Sequence, residues 1–148
     1  MANRNASASA FGWDFQANSA ILLMLENIKE AKRVRVEGAD EDIEITFQNQ
    51  SKVYAQAKAV EKPDDTSNVI AKLTKALETL SDAAKNGDGN LFTYVTNSAN
   101  PFNNQRTVSY FTGRTHLYFD ELPDVAQKKI KEIIKNNGFS ELELQKFD

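Results

Sequence analysis

The sequence predicts an α/β protein whose sheet is mixed and has helices on both faces. A helical stripe precedes three strands, and a second stripe separates them from a fourth strand. A short polar link between the second and third strands indicates an antiparallel hairpin, and the helix before the fourth strand indicates a parallel crossover. The order is therefore α-β-β-β-α-β, and a C-terminal strand and helix follow it.

The first helix is predicted over residues 13–31, where apolar residues recur every three or four positions. Residues 1–10 are predicted to be a flexible arm, because they cannot bury enough surface to offset the entropy of ordering them. Residues 11–148 are expected to form one domain, since a chain of 148 residues suits one ordinary core. Trp13 and Phe15 are expected to pack in that core.

Three strands are predicted next, over residues 34–37, 42–47 and 53–60. The second of them alternates strictly between apolar and polar residues, which is typical of a half-buried strand. The third carries alternate alanines at Ala55, Ala57 and Ala59. Alanine is a poor strand former, so this pattern indicates a central strand with a helix packed closely on the alanine face.

The second half begins with a helix over residues 69–84, which has the cleanest apolar stripe in the sequence. The continuous β-prone run at 91–96 is typical of a strand buried on both faces. A polar loop is predicted over residues 97–105, followed by a short strand or packed loop at 108–111. A strand at 116–119 and a helix over 123–137 complete the prediction.

The composition excludes several classes of protein. The chain has no cysteine, which excludes disulfide scaffolds and thiolate chemistry, and its single histidine, His116, disfavours multi-histidine metal sites. We expect His116 to be packed or hydrogen-bonded rather than to act as a general base. The net charge of −3 disfavours a protein that coats nucleic acid generally. No signal peptide or membrane-length apolar run is present, so we expect a cytoplasmic location without membrane partners.

The candidate site consists of Asp42, Gln56 and Lys58. The hairpin places Asp42 on the strand beside Gln56 and Lys58, and alternation along each strand lets all three share one face. A carboxylate and a second oxygen are ligands that Mg²⁺ prefers, and a desolvated lysine can stabilise the transition state at a phosphate. This set of groups is what metal-assisted phosphodiester hydrolysis needs.

Other interpretations of these residues remain open. The acids within residues 37–44, taken alone, are typical of a solvated turn and strand face. Because Gln56 is neutral, another acid should help to hold the metal; Glu37 is preferred and Glu26 is the alternative. Gln16 is either a partner of the site or an ordinary polar helix position, and the second interpretation is preferred. A further group of cations has two open interpretations: they contact a phosphate backbone, or they are simply solvated. These are Arg106, Arg114, Lys128, Lys129, Lys131 and Lys135.

The order of elements, with Asp42 on the second strand and Gln56-Ala57-Lys58 on the third, resembles the restriction-endonuclease-like core of the PD-(D/E)xK nucleases. The Gln-x-Lys form is similar to that of Mrr-type restriction endonucleases. Further segments resemble the N-terminal endonuclease domain of CD-NTase-associated antiphage effectors, and they are residues 12–16, 37–45, 55–58, 95–97 and 119–123. The resemblance covers roughly residues 11–135.

This resemblance implies an endonuclease that hydrolyses double-stranded DNA with Mg²⁺, or with Mn²⁺ in its place, as an effector of antiphage defence. Asp42 is then the chief metal ligand, Gln56 the second contact and Lys58 the catalytic cation. The family also implies a sensor or NTPase domain in a longer protein. Cutting both strands of a DNA duplex needs two sites, which suggests a homo-oligomer. The alternative, which the neutral Gln56 favours, is a non-catalytic domain of this fold that binds nucleic acid or protein.

Overall fold

Residues 4–37, 42–85, 91–113 and 116–136 are described by a computed structural model of the chain. Over these ranges the protein is an α/β structure with one four-stranded sheet. Its helices and strands are α1 (Arg4–Glu26), β1 (Ala31–Glu37), β2 (Asp42–Phe47), β3 (Lys52–Lys58), α2 (Val69–Lys85), β4 (Leu91–Thr96) and α3 (Asp124–Asn136). None of the helices in these ranges has both the length and the apolar character needed to cross a membrane.

The strands lie in the order β1-β2-β3-β4, so the sheet is open and mixed. β2 is antiparallel to both β1 and β3, whereas β4 is parallel to β3. The predicted hairpin and parallel crossover are therefore confirmed, as is the internal place of β3. Because β1, β3 and β4 run in one direction, their C-terminal ends meet at the same edge of the sheet, where β2 begins.

Helices cover both faces of the sheet, as the sequence predicts. α1 buries Ala20 and Leu23 against residues of β2 and β3 that include Ala55 and Ala57. The small alanine side chains let the helix approach the strand closely, which confirms the interpretation of that pattern. On the opposite face, α2 and α3 form a second apolar cluster that includes Leu73, Leu77, Ile133, Ile134 and Phe92.

The first helix differs from its prediction in its bounds and in one core residue. α1 begins at Arg4, before the expected start at residue 13, and it ends at Glu26. The flexibility expected of residues 1–10 stays a prediction. Trp13 is 51% exposed, so its expected burial is wrong. The helix buries the face defined by Gln16, Ser19, Ala20 and Leu23, and Trp13 lies to one side of it, while Phe15 packs partly against the core.

Two strand predictions in the second half are also wrong. β4 is the last strand of the sheet, and only Phe92 among its residues is buried, so it is not covered on both sides. Residues 116–118 form no strand; a 3₁₀ turn follows at Phe119–Glu121. The Tyr118 backbone N–H donates to Glu121 Oε2 at 2.7 Å, and this local bond favours the turn over extended chain. Val108–Phe111 is likewise a 3₁₀ turn, and α3 follows Pro123 as expected.

Candidate functional site

The candidate residues meet in one row that crosses the sheet. Glu37 of β1 lies opposite Asp42 of β2, and Asp42 lies opposite Gln56 of β3. Gln56 in turn lies opposite Tyr94 of β4. Directly opposite residues have Cβ atoms about 5 Å apart, so the backbone alone brings these positions together. The side chains of Glu37 and Asp42 lie outside the described part of the chain.

Gln56 is the buried centre of this row. Its side chain is 1% exposed, and no donor among the described residues reaches its Oε1 atom. A buried acceptor without a donor costs about 1–3 kcal/mol. Asp42 is its neighbour in the row on β2, and Glu37 follows one strand further on β1. An oxygen in this position suits a hard cation.

Lys58 lies two residues beyond Gln56, at the C-terminal end of β3 and on the same face of the sheet. It is 7% exposed, which confirms the expected desolvation of a lysine on a central strand. Its register partner on β4 is Thr96. Burial of a long cation is expensive, so its retention at this place is consistent with a functional role.

The loops that follow β3 and β4 are fastened to each other beside Lys58. The Asn97 side chain accepts a hydrogen bond from the Val60 backbone N–H and donates one to the Val60 carbonyl, both at 2.7 Å. Ala99 N–H donates to the Pro63 carbonyl at 2.8 Å. Lys72 Nζ also donates to the Ala59 carbonyl. Asn97 thus extends the β3–β4 pairing beyond the strands, a role that its place in the sequence did not reveal.

The parallel row that contains Arg35, Glu44 and Tyr54 has an acid, Glu44, whose negative charge is compensated by neighbouring side chains. Glu44 Oε1 lies 3.0 Å from Lys52 Nζ, and the Tyr54 hydroxyl donates to Glu44 Oε2 at 3.0 Å. Burial raises the pKa of Glu44, but hydrogen bonds from Lys52 and Tyr54 and the charges of Lys52 and Arg35 together outweigh burial and lower the pKa. Glu44 is therefore a charged, well-partnered residue beside the row.

Several sequence candidates lie away from the row. Glu26 is exposed on α1, which packs against the opposite face of the sheet. His116 is exposed, and its ring centroid lies 5.3 Å from that of Tyr118, so the expectation that it is packed is only partly met. Gln16 is 1% exposed, which contradicts its interpretation as an ordinary polar helix position. Its spacing from Leu23 on the buried face of α1 was the available signal.

The other cations are on the surface. Lys128, Lys131 and Lys135 are exposed on α3, and Lys129 lies 3.9 Å from Glu132. Arg106 is exposed, and Arg114 is outside the described residues. A cavity of about 530 Å³, which sequence reasoning missed, runs along the open edge of β4 and is lined largely by apolar residues.

Metal binding depends on which ligating side chains come together among the described residues. Among them, no three histidines, cysteines or acids are grouped closely enough to hold a metal ion. Glu37 and Asp42 are not in that set, because their side chains lie outside the description. The groups that fit a hard cation are thus the buried amide oxygen of Gln56 and the acidic positions Asp42 and Glu37, which lie one and two strands away in the row.

No known protein family, curated protein or solved structure matches this chain. The residues and their geometry therefore carry the functional interpretation. In the described structure, the row formed by Glu37, Asp42 and Gln56, together with Lys58, is the arrangement of residues that points most directly to a chemical function.

Proposed function

We propose that this domain is a Mg²⁺-dependent endonuclease of the PD-(D/E)xK type, which hydrolyses phosphodiester bonds in double-stranded DNA and accepts Mn²⁺ as well. The observation that carries the proposal is the row: acidic positions on β1 and β2 lead to a buried glutamine on β3, and a buried lysine lies two residues further on. The α-β-β-β-α-β order and the mixed sheet with helices on both faces are compatible with such a nuclease core.

The residues that would hold the metal are Asp42, Gln56 and Glu37. The Oε1 atom of Gln56 supports this assignment, because a buried oxygen without a donor is suited to a cation. Glu37 is preferred to Glu26, since its position is in the row whereas α1 packs against the other face. When bound, Mg²⁺ supplies positive charge that polarises a phosphate oxygen and makes a water molecule more acidic.

The chain's own residues have distinct roles in this proposal. Lys58 offsets the negative charge that grows on the phosphate, and its burial strengthens that interaction because little water screens it. Gln56 supplies an oxygen without adding charge. The bonds of Asn97 to Val60 hold the end of β3, so they keep Lys58 in position when substrate binds.

We extend the proposal to the biological setting that the resemblance implies. The domain would act in the cytoplasm as an effector of bacterial antiphage defence, within a longer protein that also carries a sensor or NTPase domain. It would act as a homo-oligomer, because cutting both strands of a duplex needs two sites. The second candidate function is a nucleic-acid or protein-binding module, which the neutral Gln56 favours since it removes one anionic ligand.

The test is cleavage of supercoiled plasmid DNA by the purified chain with Mg²⁺, with Mn²⁺ and with EDTA. We expect cleavage with either metal and none with EDTA. Lys58→Met keeps an unbranched side chain that is one atom shorter but removes the charge, and it should lower the cleavage rate at least 100-fold while duplex binding persists. The matched control is Lys75→Met, on the exposed side of α2, which should cleave normally.

Two results would decide against this function. A folded chain that binds duplex DNA but cuts none with either metal would overturn the nuclease and support the binding module. Cleavage that survives Lys58→Met unchanged would remove Lys58 from the chemistry, and a lowered melting temperature in that variant would then assign it a structural role.

A further inference from the structure

Two arginines on the open edge of the sheet have no role in the nuclease chemistry. Arg33 and Arg35 are exposed on β1, which is the first strand of the sheet. Between and after them, Val34 and Val36 pack into the core under α1. By strand alternation the arginines therefore belong to the opposite face, which also carries Gln56. They are on the same side of the sheet as the candidate site.

The arginines lead directly towards the row. Arg35 is two residues before Glu37 on β1, which is about 7 Å along a strand, and Arg33 is two residues before that. On this face α2 packs over β3 and β4, which are the strands farther from the arginines. The part of the face over β1 and β2 thus has exposed cations at its border and the candidate site at its end.

Of the charged side chains that the structure describes here, three are cations and one is an acid. Arg35 lies opposite Glu44 in the register, and Arg33 lies opposite Thr46. The Lys52 ammonium lies 3.0 Å from Glu44 Oε1, and the charge of Arg35 also acts on that carboxylate. We name the group Arg33, Arg35 and Lys52 the arginine edge; against its three cations Glu44 is the one acid among the residues directly opposite them.

We propose that the arginine edge binds the phosphate backbone of a DNA duplex and directs it to the row. The inference rests on the proposed function for the identity of the substrate. One guanidinium group can donate two hydrogen bonds to the oxygens of one phosphate. The spacing of Arg33 and Arg35 along β1 lets them reach different phosphates of one DNA strand. Because the whole chain has a net charge of −3, attraction for DNA has to come from a local group of cations such as this.

A competing basic surface provides a matched control. Lys128 and Lys131 are exposed on α3, away from β1, and they carry the same charge as the two arginines. Removing either pair changes the net charge of the protein equally. A difference between the two double variants therefore reports the location of the contact rather than the total charge.

The experiment measures the Kd for a fluorescent duplex by anisotropy, in EDTA so that no cleavage occurs, at several salt concentrations. Each phosphate contact contributes about 0.9 to the slope of log Kd against log salt. Arg33→Gln/Arg35→Gln should lower that slope by about 2 and weaken low-salt binding at least tenfold. Lys128→Gln/Lys131→Gln should leave the slope unchanged, and Arg33→Lys/Arg35→Lys should restore most of it.

The outcomes separate this inference from the nuclease proposal. An unchanged slope in the arginine variant overturns the arginine edge, and a slope lowered only in the lysine variant assigns the contact to α3. Failure of the wild-type chain to bind duplex also overturns it. If the arginine variant loses binding but the wild type never cuts plasmid, the arginine edge stands and the nuclease proposal fails. Equal melting temperatures of the variants and the wild type exclude misfolding as the cause.

Discussion

Asn97→Ala removes the side chain that joins the ends of β3 and β4. It deletes two hydrogen bonds of 2.7 Å to the backbone of Val60, a residue only 7% exposed. A net loss of about 1–3 kcal/mol is typical for each buried group left without its partner. The variant should therefore lose about 2–5 kcal/mol of unfolding free energy, which corresponds to about 5–15 °C in Tm for a domain of this size.

The same variant should affect catalysis, because Val60 is two residues after Lys58 on the chain. We expect kcat for plasmid cleavage to fall at least tenfold while the Kd for duplex changes little, since a displaced cation affects the transition state more than binding. Thermal unfolding and cleavage measured below the melting transition give both quantities. Asn18→Ala, an exposed change on α1, is the control for an Asn-to-Ala substitution.

A second substitution at the same position tests the geometry. In Asn97→Asp an ionised carboxylate would face the Val60 carbonyl, whereas the protonated acid can still donate to it. The folded-state pKa of the introduced carboxyl group should therefore be raised, so stability is retained at low pH and lost as pH rises through that pKa. The stability deficit relative to the wild type should be larger at pH 7 than at pH 4. A deficit that is equal at both pH values, or an Asn97→Ala variant as stable as the wild type, would refute the reasoning.

Two further predictions concern the acids. Gln56→Glu should bind free Mg²⁺ more tightly by titration calorimetry, and Glu37→Gln should raise the Mg²⁺ concentration for half-maximal cleavage while Glu26→Gln does not; unchanged curves for the first two would remove both from the metal site. The lowered pKa of Glu44 means that its contribution to stability is present at neutral pH and is lost as pH falls through the folded pKa. Urea unfolding at pH 7 and pH 3 should therefore show a smaller pH effect in Glu44→Gln, and an equal effect would contradict the assignment.

The sheet was predictable because its signals are local. Strict alternation over residues 42–47 and the alternate alanines of the next strand fix which side chains share a face. The polar link between these strands fixes the hairpin, and from it the pairing of Asp42 with Gln56 follows. These features depend on neighbours in the chain, so one sequence is enough to predict them.

The predictions that were wrong or missing concern features that depend on contacts between distant parts of the chain. An apolar run shows that residues 91–96 form a strand, but it does not show whether another strand will pair with the outer edge. The burial of Gln16 and the exposure of Trp13 depend on which side of α1 meets the sheet. Asn97 could not be assigned a role because its partner, Val60, is brought near it only by the parallel pairing of β3 with β4.

The neutral residue at position 56 has a physical consequence for how a metal would be held. Gln56 is only 1% exposed, so a carboxylate at position 56 would be poorly screened by water and would be repelled by the acids at positions 37 and 42 of the same row. Glutamine avoids that repulsion. The metal-free chain is therefore expected to be more stable than a variant with a carboxylate at position 56, but to attract a free cation less strongly. A phosphate group brought along the arginine edge would supply the missing negative charge. If the proposed nuclease function holds, metal affinity should therefore rise when duplex DNA is present, so that metal and substrate bind together.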